Sequence, residues 1–164
     1  MSKGFTHESS HNETKEWYTP PDIFLKIGIE FDLDPCAPPD KIIPWIPAKK
    51  RFSVLENGLT QKWGGSVWLN PPYGADTPKW LERLAEHKNG IALVFARTDT
   101  NWFNKYATQA NVICFVKGRI CFMKHDLTPG GMPGCGSMLL GYGDKCADAL
   151  IRSNLGPCYE KREI

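Results

Sequence analysis

The chain has 164 residues, a net charge of +2, 41% hydrophobic residues and 23% charged residues, a composition typical of a globular domain. The longest aliphatic run, residues 91–96, is far too short to span a membrane, and no apolar segment opens the chain. We therefore expect a cytoplasmic protein without a membrane partner, whose small positive charge permits a local basic patch for nucleic acid but does not demand one.

The first part of the chain predicts a tail, a short helix and a strand. Residues 1–15 are polar and predict a disordered tail, which leaves a single domain over residues 16–164. Thr19, followed by two prolines, is typical of a helix start, and the helix ends at Gly28. Residues 29–34 alternate between apolar and acidic side chains, which is the period of a strand.

The next thirty residues give a weaker signal. Residues 36–65 contain several prolines and glycines, a basic stretch Ala48–Arg51, and no sustained period. The pattern predicts a long loop, and a loop of this length inside a compact domain is usually functional or mobile.

The remaining elements follow in regular alternation. They are predicted as a strand over 66–69, a helix capped by Thr77, a buried strand over 91–96, a helix capped by Asp99 or Thr100, strands over 112–116, 119–123 and 137–142, and a helix capped by Asp144. This order indicates an α/β fold with a mostly parallel sheet and an antiparallel edge.

Three predicted strand ends carry polar residues. Asp34 follows the first strand, Asn70 follows the strand over 66–69, and Arg97 and Asp99 follow the third. Ligands of open parallel sheets bind beyond the carboxyl ends of the strands. We therefore expect the functional site at these ends.

The six cysteines do not indicate a metal site. The chain has no C-x-x-C pair, and Cys121, His125 and Cys135 do not have the spacing of a zinc site. Because no secretion signal is present, we expect reduced thiols and no bound metal.

The most informative stretch is "VWLNPPYG", residues 67–74. The exocyclic amine of a nucleobase is a poor nucleophile because its lone pair is delocalised into the ring. Two acceptors facing its N–H bonds, the Asn70 amide oxygen and the Pro71 carbonyl, favour a pyramidal nitrogen whose lone pair is available. The Pro71-Pro72 pair fixes the turn and offers no competing N–H, and Tyr73 offers a stacking surface for an extruded base.

The "NPPYG" motif resembles the catalytic motif of S-adenosylmethionine-dependent amino-methyltransferases. Five segments together resemble the phage and prophage Dam-type DNA N6-adenine methyltransferase family, in the order "EWYTPPDIF", "FDLDPCA", "VWLNPPYG", "ARTDTNWF" and "KGRICF". They span Trp17 to Phe122, about two-thirds of the chain.

The resemblance implies a Rossmann-like methyltransferase sheet, S-adenosylmethionine as cofactor, and double-stranded DNA as partner. It implies a target-amine site formed by Asn70, Pro71, Pro72 and Tyr73. It implies cofactor contacts by two segments, whose residues are Trp17, Thr19, Pro20, Asp34, Pro35, Cys36 and Ala37.

One departure from larger methyltransferases concerns the cofactor site. Their first strand is followed by a glycine-rich loop, whereas here Ala37 precedes two prolines and no glycine occurs before Gly58. The interval from Asp34 to Asn70 is also too short for two helix–strand units, so the sheet is reduced in its N-terminal half and the ribose-binding acid is not assigned.

Each candidate residue also has a structural interpretation. Asp34 can cap a turn before Pro35, Asp99 can cap a helix, and Trp17 can belong to the core. A predicted DNA contact by Lys49, Lys50, Arg51, Arg97 and Arg119 competes with solvated turns and ion pairs.

Three functions stay open at this point. The first is N6-adenine methylation of DNA. The second is methylation of another planar amine, either guanine N2 in RNA or a glutamine amide in protein. The third is DNA binding without catalysis. The sequence gives neither the DNA target nor the oligomeric state.

Overall fold

One seven-stranded sheet organises the computed structural model, which describes residues 18–38, 43–124 and 126–162. The predicted tail over 1–15 lies outside the described residues. The spatial order of the strands is β2-β1-β3-β4-β6-β5-β7. The strands are β1 (Phe31–Asp34), β2 (Ala48–Arg51), β3 (Val67–Leu69), β4 (Gly90–Phe95), β5 (Val112–Phe115), β6 (Ser137–Tyr142) and β7 (Cys158–Glu160).

The sheet contains both parallel and antiparallel strand pairs. Strands β2, β1, β3 and β4 run parallel as successive neighbours. Strand β6 is antiparallel to β4 and to β5, and β7 is antiparallel to β5. The predicted antiparallel part is therefore larger than an edge, because β6 lies inside the sheet and pairs along its full length with β4, from Gly90↔Tyr142 to Phe95↔Ser137.

Helices cover both faces of the sheet. They are α1 (Pro21–Ile27), α2 (Thr77–His87), α3 (Asn101–Lys105), a 3₁₀ turn (Ala107–Gln109) and α4 (Asp144–Arg152). Successive residues of β4 point to opposite faces. Ile91 and Leu93 pack in the core shared with α1 and α4. Ala92 and Val94 pack in the core shared with α2 and the 3₁₀ turn. No helix in the described ranges has the length and apolarity needed to cross a membrane.

The helix starts differ in detail from the prediction. Thr100 caps α3, since its Oγ1 accepts a hydrogen bond of 3.3 Å from the Phe103 amide. Thr19 does not cap α1, whose N-cap is Pro20. Thr77 and Asp144 are the first residues of their helices, which have Asp76 and Gly143 as N-caps.

Two element predictions were wrong and one strand was missed. The predicted loop over 36–65 contains β2, whose side chains are half-buried or exposed at the sheet edge and so show no apolar period. Residues 119–123 do not form a regular strand, and within them only Met123 makes isolated bridges, to Tyr18 and to Pro129. The short edge strand β7 has one half-buried and two exposed residues, which left no pattern to detect.

Candidate active site

The carboxyl ends of β1 and β3 open into one cavity of about 440 Å³, a volume within the usual range of small-molecule sites, roughly 300–1,000 Å³. Its lining contains Asp34 to Ala37 from the end of β1, Asn70 to Tyr73 from the end of β3, and Thr19. Because β1 and β3 are neighbouring parallel strands, two segments that are 36 residues apart in sequence meet at this edge.

Asn70 lies between two hydroxyl groups. Its Nδ2 donates to Thr19 Oγ1 at 3.5 Å, and its Oδ1 accepts from the Tyr73 hydroxyl at 3.3 Å. The amide follows the buried strand residue Leu69 and is itself half-buried at the cavity wall. The side chain is thereby held with its oxygen and nitrogen in defined directions.

The Asn70–Gly74 turn is fastened to the start of α2. The Thr77 hydroxyl donates to the Pro72 carbonyl at 2.8 Å and accepts from the Gly74 amide at 3.0 Å. Thr77 is buried and is the first residue of α2. Together with the two fixed proline φ angles, this bridge makes the turn rigid.

Tyr73 belongs to a row of aromatic rings. Its ring stacks on Phe95 at the end of β4, with the centroids 4.2 Å apart and the planes inclined by 19°. Phe95 in turn meets Phe122 edge-on, at 6.5 Å. Phe95 received no role in the sequence analysis, because a phenylalanine that ends an apolar strand does not stand out by its pattern.

Asp34 is a buried carboxyl group in the cavity wall. Its Oδ1 accepts a hydrogen bond of 3.0 Å from the Cys36 amide, so the predicted turn-capping role is present as well. Burial raises the pKa of Asp34 to about 7, while the Cys36 amide and the positive charge of Arg51 act in the opposite direction. The Asp34 carboxyl group could therefore ionise and serve as the counter-charge of a cation that enters the cavity.

Gly58 is a second residue that sequence reasoning left without a role. It lines the cavity and is so close to the end of β1 that an added Cβ would lie 2.1 Å from the Pro35 carbonyl oxygen. The Trp63 indole donates to the Gly58 carbonyl at 2.8 Å. Arg83 of α2 donates to the carbonyl oxygens of Leu59 and Gln61. The backbone can therefore approach Pro35 closely because a glycine stands at position 58, which is 23 residues after Pro35 in the sequence.

Two predicted cofactor residues are not placed in this cavity by the described structure. Trp17 is outside the described residues. Pro20 lines a second cavity of about 440 Å³, which it shares with Lys26, Lys117 and Arg119.

The predicted DNA-contacting cations are dispersed. Lys49 forms an exposed ion pair of 3.0 Å with Asp32. Lys50 lies over the Phe52 ring. Arg51 donates to the carbonyl oxygens of Ile43 and Ile46 at 2.8 and 2.6 Å, and so fixes the segment that enters β2.

Arg97 and Arg119 are exposed and lie apart from the first cavity's lining. The predicted cap Asp99 is exposed, and Thr100 takes the capping position instead. The phosphate contacts assigned to Arg97 and Arg119 therefore stay predictions.

No group of three or more His, Cys, Asp or Glu side chains suited to a metal occurs within residues 18–38, 43–124 and 126–162. His125, one of the three residues considered for a metal, lies outside the described ranges.

Comparison with known proteins identifies the family. A search of curated proteins and a search of solved structures returned no match. The family model described as DNA N-6-adenine-methyltransferase (Dam) matches residues 7–138, which is most of the chain and includes both strand ends that line the cavity. The chain therefore belongs to the DNA N-6-adenine-methyltransferase (Dam) family.

Proposed function

We propose that the protein transfers the methyl group of S-adenosylmethionine to N6 of adenine in double-stranded DNA, with residues 16–164 acting as one methyltransferase domain. The observation that carries the proposal is the common cavity of the Asp34–Ala37 and Asn70–Tyr73 segments. It brings a buried carboxyl group suited to a cationic cofactor next to an amide suited to a base amine.

The cofactor end of the cavity would be formed by the β1 terminus. S-adenosylmethionine carries an ammonium group, a sulfonium group and an apolar adenine, and supplies an electrophilic methyl group when bound. Asp34 would pair with positive charge, while apolar lining residues such as Ile46 and Trp80 would contact the uncharged part. The polar residues Ser53 and Asn57, at the same wall, would serve the ribose hydroxyls, in place of the unassigned acid.

The amine end would be formed by the β3 terminus. Asn70 Oδ1 and the Pro71 carbonyl would accept the two N–H bonds of the target amine and favour its pyramidal form. An interaction that strengthens as the nitrogen becomes pyramidal lowers the barrier, since it acts more on the transition state than on the bound substrate. The proton lost from the methylated nitrogen is acidic enough to leave to solvent, so the site needs no strong base.

Tyr73 would stack on the adenine ring after the base has left the duplex. The Phe95 ring stacks on Tyr73 at 4.2 Å, so the tyrosine ring is supported before substrate arrives. Stacking of a base on an aromatic side chain contributes about 1–3 kcal/mol, enough to offset much of the cost of extruding the base.

DNA recognition would fall to the segments around this cavity. Phe122 contacts Phe95, and the next residue, Met123, exchanges two backbone hydrogen bonds with Tyr18 in the N-terminal segment. We assign base reading to residues 38–65 and 123–136 and phosphate contacts to the neighbouring cations.

The test is methyl transfer from labelled S-adenosylmethionine to DNA, RNA and protein assayed in parallel, with adenine-free DNA as the matched control. The proposal predicts label in adenine-containing duplex alone. Label in RNA guanine or in protein glutamine would assign a different planar amine. DNA binding with no label in any substrate would identify a non-catalytic relative.

A further inference from the structure

We propose that Thr19 is a positioning residue that orients the Asn70 amide so that its oxygen, and not its nitrogen, faces the target amine. This role rests on the proposed function and goes beyond it, because it assigns the Thr19 hydroxyl to the amine end of the cavity instead of the cofactor end. The juxtaposition that carries it is the 3.5 Å contact from Asn70 Nδ2 to Thr19 Oγ1.

The chemistry of the amide gives such a residue a function. The two ends of an asparagine side chain are similar in size but opposite in hydrogen bonding, since Oδ1 accepts and Nδ2 donates. A target amine offers two N–H donors, so an amide turned by 180° would set donor against donor. The Tyr73 hydroxyl at 3.3 Å from Oδ1 cannot hold the amide in the substrate complex, because it must yield its place to the amine.

Thr19 stays beside Nδ2 when the amine takes the place of the Tyr73 hydroxyl. Its Oγ1 can accept from Nδ2 in that state, and an amide whose Nδ2 has a buried acceptor keeps Oδ1 toward the substrate. Thr19 is only 1% exposed, so its hydroxyl is shielded from bulk solvent.

The position of Thr19 is fixed independently of Asn70. The Thr19 carbonyl accepts a hydrogen bond of 2.9 Å from the Trp45 indole. The preceding residue, Tyr18, exchanges two backbone hydrogen bonds with Met123, at 3.0 and 2.9 Å. The Thr19 side chain does not cap α1, so its hydroxyl has no part in holding the helix. The backbone thus places this hydroxyl rigidly beside the amide.

Thr19→Val is the discriminating variant, because it preserves shape and removes the acceptor. We expect the single-turnover rate constant of methyl transfer to fall roughly tenfold, the effect of one lost hydrogen bond, while the cofactor-induced shift in melting temperature stays unchanged. Thr19→Ser retains the hydroxyl and is expected to restore the rate. Thr19→Ala, which cannot clash, repeats the test if the valine variant does not fold.

The control is Thr100→Val, which removes the hydroxyl that caps α3. It is expected to lower the melting temperature and to leave the rate constant unchanged, which separates lost stability from lost positioning. A wild-type rate constant in Thr19→Val would overturn the positioning role. If the rate constant were unchanged and the cofactor-induced shift in melting temperature were smaller, Thr19 would instead be a cofactor contact. A wild-type protein that methylates no substrate would overturn the proposed function, and this role with it.

Discussion

The Tyr73 hydroxyl donates a hydrogen bond of 3.3 Å to Asn70 Oδ1, the atom to which we assign the target amine. The side chain that would stack on the base thus occupies, in the protein alone, the acceptor that the base would use. At the same time the tyrosine ring stays stacked on Phe95, at 4.2 Å. The hydroxyl and the ring therefore have separable contributions.

Substitution of Tyr73 separates these contributions. Tyr73→Phe keeps the ring on Phe95 and removes the competing hydroxyl, so activity is expected to persist. Tyr73→Ala loses base stacking of about 1–3 kcal/mol and should be nearly inactive, most of all on fully paired DNA, where extrusion costs most. The measurement is the rate of methyl transfer on paired and mismatched adenines. Equal activity of the alanine variant on both substrates would exclude a stacking role.

Asp34 makes the stability of the protein depend on pH. Burial raises its pKa to about 7 in the folded protein, above the usual value of about 3.9 in an unfolded chain. The folded state therefore keeps a proton that the unfolded state releases, and the stability contributed at low pH is lost as the pH rises through about 7.

Asp34→Asn tests this assignment because its amide oxygen can still accept from the Cys36 amide. We expect the variant to melt several degrees higher than wild type at pH 8 and close to wild type at pH 4. Stabilisation by S-adenosylhomocysteine, which retains the ammonium group, should weaken in wild type below about pH 7 and be small in the variant at every pH. A variant without any gain at pH 8 would contradict the buried carboxylate.

Gly58→Ala tests the close approach at the end of β1. The new Cβ would lie 2.1 Å from the Pro35 carbonyl oxygen, so the backbone at the cavity wall must shift. We expect urea melts to show a loss of about 1–3 kcal/mol in the free energy of unfolding. We also expect weaker cofactor binding, measured as a smaller thermal shift.

Gly64→Ala is the matched control, because an added Cβ there meets no atom within 4 Å. It is expected to leave both properties near the wild-type value or to raise stability slightly. Equal behaviour of the two variants would show that the Gly58–Pro35 contact does not shape the cavity.

Neutralising Lys49 and Lys50 tests the predicted phosphate contacts. Arg51 is left intact because it holds the carbonyl oxygens of Ile43 and Ile46. Changing both lysines to Gln should weaken DNA binding to the same extent on all sequences and flatten its salt dependence. Of the two single changes, Lys50→Gln should cause the larger loss of affinity, because Lys49 is paired with Asp32. Lys145→Gln on α4 is the control. A changed sequence preference would instead show that these lysines read bases.

The elements with strong local signals could be predicted from the sequence. The buried strand β4, the amphipathic helix α2 and the punctuation after Asp34 and Leu69 each carry a clear pattern. Strand β2 could not be predicted in this way, because its lysines and arginine face solvent or loop carbonyl oxygens. Its pairing with β1 depends on backbone hydrogen bonds, which any sequence can make.

The candidate site was predictable only where its residues are contiguous. Asn70 to Tyr73 form a motif, whereas Gly58 and Phe95 join the site through long-range packing that no spacing encodes. Thr19 was predicted first as a cap and then, by resemblance, as a cofactor contact; its hydrogen bond with Asn70 crosses 51 residues. The inserted strand β6 is likewise a property of topology, not of periodicity.

The central claim, that Asn70 activates the target amine, is tested most directly by the single-turnover rate constant of Asn70→Ala on adenine-containing duplex DNA. Removing an acceptor that acts mainly in the transition state should lower this rate constant by roughly a hundredfold or more. The melting temperature and its shift with S-adenosylhomocysteine should stay near those of wild type. A wild-type rate constant in Asn70→Ala would contradict the account and reduce the Asn70–Gly74 segment to a turn that ends β3.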